Sequence, residues 1–260
     1  MSVAIITGAS SGIGREFAKQ MKEKLGISDF WFVARREERM EELRDELSVN
    51  AKIISADLAT SEGIEKLRSA LEEEKPRVKF LVNAAGFGCF GSFDQLSEET
   101  VSAMIDVNVK ALVLITHMTV PYMEKGGRII ELGSGSCFTP LPYFNTYASS
   151  KAFVLHYTKS LNYEIKKYGI RATCFCPGWV HTEFLGKATD NKGVTVPKST
   201  KPLLSVEKVV SKCLRASVKG KAMCVTNWYT KLQHFLFKAM PDSLLTKAWL
   251  GMLIHPEEKK

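Results

Sequence analysis

The feature that most constrains this chain is a glycine-rich turn near its start. "VAIIT" (3–7) is a short apolar run, and "TGASSGIG" (7–14) follows at once, with glycines at 8, 12 and 14. A helix-period segment near 13–25 comes next. Glycine permits a tight turn, and lacking a Cβ it lets backbone N–H groups approach a pyrophosphate at the positive end of a helix. The spacing is GxxxGxG, not the GxGxxG of the commonest dinucleotide fingerprint. Its position between a first strand and a first helix is what makes it a dinucleotide signal.

The rest of the chain repeats that alternation. "FWFVA" (30–34), "KIISA" (52–56), "KFLVN" (79–83), "RIIEL" (128–132), "RATCFC" (171–176) and "AMCVT" (222–226) read as buried strands. Helix-period segments lie between them near 37–48, 62–74, 98–124, 147–168 and 206–218. This order predicts an α/β fold: a Rossmann-type, doubly wound parallel sheet of about seven strands with helices on both faces, in a single domain. Residues 1–226 form its nucleotide-binding and catalytic body. Within it, "TEFLGKATDNKGVTVPKSTKP" (182–202) reads as a long mobile loop, and 227–260 as an aromatic-rich extension packed on the same domain.

Composition excludes several classes. Six cysteines, at 89, 137, 174, 176, 213 and 224, make no CxxC pair and have no histidine at zinc spacing. We therefore expect no metal, reduced thiols and a cytoplasmic setting. The first strand begins so early that no leader or anchor is expected before it. No uninterrupted apolar run approaches a membrane span of roughly 18 residues. The net charge of +8 is scattered among acids rather than gathered in a basic block, so nucleic acid is not an expected partner. A solvated surface, or attraction of an anionic cofactor, accounts for it.

The cofactor can be read from the second strand's end. An acid about 20 residues beyond the glycines would accept the ribose 2′-OH of NAD. Counting from Gly14 reaches Ala34; Arg35 and Arg36 follow, and Arg15 lies just after the turn. Guanidinium groups suit a 2′-phosphate, so the expected cofactor is NADP(H). The alternative is that these arginines are solvent-exposed charges at helix starts.

Several motifs then occur in one order: "TGASSGIG", "DL" (57–58), "NAAG" (83–86), Asn108 in "DVNV", Ser134, "YASSK" (147–151) and "PGWVHT" (177–182). Over residues 3–182 the chain resembles the short-chain dehydrogenase/reductase family. The segment "GSGSCFTPLPYFNTYASSK" and the aromatic tail resemble its 17β-hydroxysteroid dehydrogenase and 3-ketoacyl reductase branch. Reducing a ketone requires a hydride on carbon and a proton on oxygen. Tyr147 and Lys151, four apart, share a helix face. Tyr147 is the expected general acid in reduction and base in oxidation, with a pKa brought down from about 10 by the Lys151 ammonium. The resemblance implies that Lys151 also holds the nicotinamide ribose. It implies that Ser134, rather than its neighbour Ser136, bonds the substrate oxygen, and that Asn108 bends its helix and holds a water leading to Lys151.

For the cofactor, the turn contributes Gly8, Ser10, Ser11, Gly12, Ile13 and Gly14, with Arg15, Arg35 and Arg36 for the phosphate. The resemblance adds Asp57 and Leu58 at adenine, Asn83, Ala84, Ala85 and Gly86 after the fourth strand, and Pro177, Gly178, Val180 and Thr182 toward the nicotinamide. "NAAG" carries Ala84 where Asn is frequent, and Gly133 stands where Ser is frequent. The resemblance also implies hydride transfer from the B face and a homodimer or homotetramer formed through the helices carrying Asn108 and Tyr147.

Apolar residues near the expected site suggest a bulky hydrophobic ketone or alcohol: Phe87, Phe90, Phe93, Phe138, Leu141, Tyr143, Phe144, Trp179, Phe184 and Leu185. The tail holds Leu232, Phe235, Leu236, Leu244, Leu245, Trp249 and Leu253 at helical spacings around Pro241. It is open to three readings: a cover for the pocket, a dimer contact, or a peripheral membrane contact. The expected activity is NADP(H)-dependent interconversion of a ketone and a secondary alcohol on a lipophilic, hydroxysteroid-like substrate. The alternatives are a 3-oxoacyl reductase acting on carrier- or CoA-bound chains and a non-catalytic NADP-sensing protein.

Overall fold

The computed structural model describes residues 2–189, 195–200, 203–227, 230–232, 235 and 240–254. Seven parallel strands form one sheet in the order β3-β2-β1-β4-β5-β6-β8. They are β1 (Val3–Thr7), β2 (Asp29–Ala34), β3 (Asn50–Ser55), β4 (Val78–Asn83), β5 (Met123–Leu132), β6 (Arg171–Cys176) and β8 (Met223–Val225). The predicted fold class and all seven predicted strands are found.

Side chains alternate across each strand. On β2, Phe30 and Phe32 join Phe17, Met40, Val209 and Val210 on one face. Trp31 and Val33 join Ile64, Leu67, Leu81 and Ile115 on the other. The first face is covered by α1 (Gly12–Leu25), α2 (Glu37–Leu47) and α8 (Val206–Val218). The second carries α3 (Ser61–Glu74), α5 (Leu112–Thr119) and α6 (Asn145–Glu164). Strand order reverses between β1 and β4, and a crevice opens beyond their carboxyl ends, where parallel α/β sheets take their ligands.

Two segments depart from expectation. The helix-period segment from 98 to 124 is not one helix: it is α4 (Glu98–Ile105), a π-helical stretch Asp106–Ala111 at the Asn108 bend, then α5, a short 3₁₀ turn and the start of β5. From Glu98 to Tyr122 it is long and apolar enough to cross a membrane by length and composition. Its apolar side, Leu112, Ile115 and Met118, is buried against the body instead.

The segment expected to be a long loop contains α7 (Glu183–Thr189), and β7 (Val196–Pro197) pairs antiparallel with β9 (Leu253–Ile254). Polar residues and Gly186 hide this helix from a composition reading. Phe184 and Ala188 reveal it by packing into the Phe90–Phe144 cluster. In the tail, α9 (Asp242–Leu250) buries Leu245 and brings Trp249 onto the same cluster, where its indole Nε1 donates to the Pro142 carbonyl at 2.9 Å. Leu236 lies outside the described residues.

Candidate active site

The glycine turn closes on the sheet. Gly8 has φ 69°, and a Cβ there would lie 2.8 Å from the Ala85 nitrogen. A side chain would therefore force apart the β1 and β4 ends that border the crevice. Ala85 N–H donates to Thr7 Oγ1 at 3.1 Å and ties the same two ends together.

One continuous cleft of about 900 Å³ runs from this turn to the C-terminal tail. Its first half is lined by Gly8, Ser10, Ser11, Gly12, Ile13, Gly14, Arg35, Arg36, Asp57, Leu58, Ala84, Ala85 and Gly86, all expected from sequence. Pro177, Gly178, Val180 and Thr182 follow.

Arg36 donates to Ser11 Oγ at 2.8 Å and to the Glu183 carboxylate at 3.0 Å. Arg35 stands at the rim, 3.8 Å from Asp57, whose other oxygen accepts from the Ala59 N–H.

Two expected cofactor residues are placed elsewhere. Arg15 pairs with Glu46 at 2.7 Å and donates to the Arg39 carbonyl, so it ties α1 to α2. The buried Asn83 donates to Thr116 Oγ1 at 2.9 Å and to Glu131 at 3.3 Å; it braces β4 against β5 and α5 behind the cleft wall.

At the centre, Tyr147 and Lys151 sit on the first turns of α6. The Lys151 Nζ donates to the Leu132 carbonyl at 2.7 Å and lies 5.6 Å from the Tyr147 ring centre. Ser134 is the hydroxyl set against the Tyr147 phenol, where it favours the ionised form. Ser134 Oγ also accepts from the Ser136 N–H at 3.1 Å. Among the described residues the Ser136 hydroxyl has no hydrogen-bond partner.

Asn108 lies in the π-helical stretch. Its side chain accepts from Phe87 N–H at 3.1 Å and donates to the Phe87 carbonyl at 2.9 Å and to Ser150 Oγ at 3.2 Å. These bonds satisfy a fully buried amide and anchor the loop after β4, and π-bulges of this kind recur at functional sites. Gly86 leaves room for the arrangement, since a Cβ there would stand 2.8 Å from Asn108 Oδ1.

Burial governs the ionisation of this centre. It pulls Lys151 down to about 8, with Cys174 and Glu131 among the groups acting the other way. It pushes the Tyr147 phenol well up, an effect that Ser134 only partly offsets. A phenol lowered by Lys151 is therefore not what this protein alone presents. The ring is packed among Phe144 and Phe184, and the ammonium is directed at the Leu132 carbonyl. Behind it, burial raises Glu131 to about 7.

Beyond Tyr147 the lining turns apolar: Phe87, Leu141, Phe144, Trp179, Phe184 and Leu185, joined by Pro197, Leu232, Met240, Leu245, Trp249 and Met252. Phe90 stands behind the wall, stacked on Phe144 at 3.9 Å between centroids. Phe138 packs with Leu112, Val154 and Tyr157 in a different cluster, and Tyr143 is not among the lining residues. Phe93, 86% exposed, is also outside the pocket. The 3₁₀ turn Gly135–Phe138 directs Phe138 away, and Tyr143 takes a left-handed backbone with φ 63°. Sequence reading missed Pro197, Asn227, Thr230, Met240 and Met252; Met240 and Met252 reach the cleft because the tail folds back, and Pro197 lies in β7, which pairs with β9 of that tail.

Residues 2–193 match the family model described as short chain dehydrogenase. The chain belongs to the short-chain dehydrogenase family. A sulfoacetaldehyde reductase from Chromohalobacter salexigens is 36% identical over 188 residues, 70% of this chain and 74% of that protein. An NADP-dependent 3-hydroxy acid dehydrogenase from Escherichia coli is 33% identical over 190 residues, 70% of this chain and 74% of that one. A short-chain dehydrogenase from Sphingobium yanoikuyae, solved with NADPH, superposes with a TM-score of 0.77 at 28% identity, covering 94% of this chain and 95% of that one.

This family member is an NADP-dependent oxidoreductase acting on CH–OH and C=O groups. The cleft fits NADP(H): glycine backbone lines one end, and Arg36 there already grips an anionic oxygen, that of Glu183. NADP(H) supplies or accepts the hydride when bound. Among the described residues no group of three or more His, Cys, Asp or Glu side chains is arranged to hold a metal ion.

Proposed function

We propose that the enzyme interconverts a ketone and a secondary alcohol on a neutral, hydrophobic substrate. The observation that carries this reading is the charge distribution along the cleft. Among the described lining residues, every charged side chain other than Lys151 and Glu183 stands at the cofactor end: Arg35, Arg36 and Asp57. Glu183 is itself turned toward that end by its bond to Arg36. Among the described residues no cation lines the aromatic half, so a carboxylate or sulfonate would lose its hydration there without a counter-charge from them, at a cost of several kcal/mol.

In this reading Ser134 and Tyr147 donate to the substrate oxygen as negative charge develops on it, and Tyr147 delivers the proton. Lys151 stabilises the phenolate left behind. Asn108 holds the Phe87 loop against α6 and keeps Lys151 in register. Arg36, with Ser10 and Ser11, receives the 2′-phosphate. Trp249 and Leu245 of α9 cover the substrate end, which supports the tail as a lid rather than a membrane or dimer contact.

A panel followed by NADPH absorbance tests this. Bulky neutral ketones, steroids included, are expected to show higher kcat/KM than small sulfonated or carboxylated carbonyls; the reverse order would refute the proposal. An acetoacetyl thioester belongs in the panel, because the net charge of +8 favours an acidic carrier as the alternative partner. We also propose self-association through α4 and α6, where Ile105 and Phe153 are 46% and 44% exposed, in a reducing compartment that keeps the thiols free. Sedimentation as a monomer at micromolar concentration would contradict the association.

A further inference from the structure

We propose that Glu183 is a specificity-determining residue for the cofactor: an internal anion that occupies the Arg36 site and competes with the 2′-phosphate of NADP(H) for it. The inference rests on the reading of Arg36 given above.

Glu183 opens α7, 147 residues from Arg36 in sequence, yet its carboxylate spans the cleft to two guanidinium groups. One oxygen accepts from Arg36 at 3.0 Å; the other pairs with Arg39. Arg36 simultaneously donates to Ser11 Oγ at 2.8 Å and to Ser10 Oγ at 3.3 Å, the two serines of the glycine turn. These three groups make a site for an anion, and carboxylate and phosphate oxygens take the same guanidinium N–H geometry. The two arginines hold the Glu183 carboxyl below its usual range, so it is ionised at neutral pH.

A 2′-phosphate brings nearly twice the charge of a carboxylate and three acceptor oxygens. It therefore displaces Glu183 from Arg36, while Arg39 remains to keep the carboxylate. The pair is partly exposed, with 42% of the Glu183 side chain accessible, which makes it weak enough to exchange. NADH carries only a hydroxyl at that place and has no group with which to compete. Arg39 thereby becomes the second partner that holds Glu183 once Arg36 is taken. α7 also carries Phe184 and Leu185, which line the substrate end, so the anion exchange occurs at the base of the helix that covers the substrate.

The test is equilibrium binding of NADPH and NADH, read by nucleotide fluorescence, to the wild type, Glu183→Gln and Arg36→Gln. Glu183→Gln keeps the size of the side chain and removes the competing charge. Its NADPH Kd is expected to fall roughly threefold to fivefold, the scale of an exposed ion pair, with NADH Kd unchanged. An NADPH Kd that stays constant or rises overturns the proposal. Equal changes for both nucleotides also overturn it, because they indicate a structural role. Arg36→Gln is expected to weaken NADPH tenfold or more and to spare NADH. If Arg36→Gln discriminates and Glu183→Gln does not, only the role of Glu183 fails. If Arg36→Gln fails to discriminate, the reading of Arg36 fails first. Unchanged melting temperatures confirm that each variant is folded.

Discussion

At the cofactor end of the cleft, backbone makes the surface: Gly8, Gly12 and Gly14 bring main chain to the crevice, and Arg35, Arg36 and Asp57 ring it with charge. At the substrate end, side chains make the surface. Phe144 comes from the start of α6, Trp179 from the loop after β6, Phe184 from α7 and Trp249 from α9. The first surface suits a ligand whose phosphates never vary. The second is assembled from separate segments, and any of them can change without disturbing the sheet. Tyr147 stands where the two surfaces meet.

The sharpest way to separate the ends is at that residue. Tyr147→Phe is expected to lower kcat roughly a thousandfold while leaving NADPH affinity within about twofold, since it removes one proton donor and little packing. A Phe variant with wild-type kcat would remove Tyr147 from the chemistry. The next effect tests the backbone-built end. Gly8→Ala places a Cβ 2.8 Å from the Ala85 nitrogen at φ 69°, and a loss of roughly 2–4 kcal/mol in stability is expected by denaturant unfolding, with NADPH binding weakened. A variant as stable as wild type would show that β1 and β4 tolerate separation.

The side-chain end should respond differently. Trp249→Ala deletes a ring and its bond to the Pro142 carbonyl, so KM for a hydrophobic ketone is expected to rise about tenfold with NADPH Kd unchanged. An equal loss for the cofactor would mean that the ends are coupled through α9. The smallest effect lies behind both, at Glu131. Its carboxyl, ordinarily near 4.5, is raised to about 7 by burial, so between those values the folded state holds more protons than the unfolded one. Wild-type stability should therefore fall as pH rises from 4.5 toward 7 and level off above. Glu131→Gln, which retains an acceptor for Thr116 and Asn83, should flatten that slope in urea midpoints taken across this range. A slope that persists would assign the pH dependence to other groups.

The same division separates what is legible in the residues from what is not. The glycine turn, the seven strands and the Tyr147–Lys151 pair could be read directly, because each depends on neighbours within a few positions. Arg15 looks like a phosphate ligand beside the turn until Glu46, 31 residues away, takes it. The irregular turn around Asn108 depends on Phe87 backbone groups 21 residues earlier, and no periodicity in 98–124 announces it. Phe138 is as apolar as Phe144, and only the 3₁₀ turn before it sends it into a different cluster.

Local backbone rules therefore carry the α/β class, the place of the cofactor and the order of the motifs: glycine conformations and strand or helix periodicity act over short spans of chain. The folded chain adds the burial that raises the Tyr147 phenol, the return of α9 over the pocket and the capture of Glu183 by Arg36. Those features depend on desolvation and on contacts between segments more than a hundred residues apart, and such energies exist only once the sheet has brought the segments together.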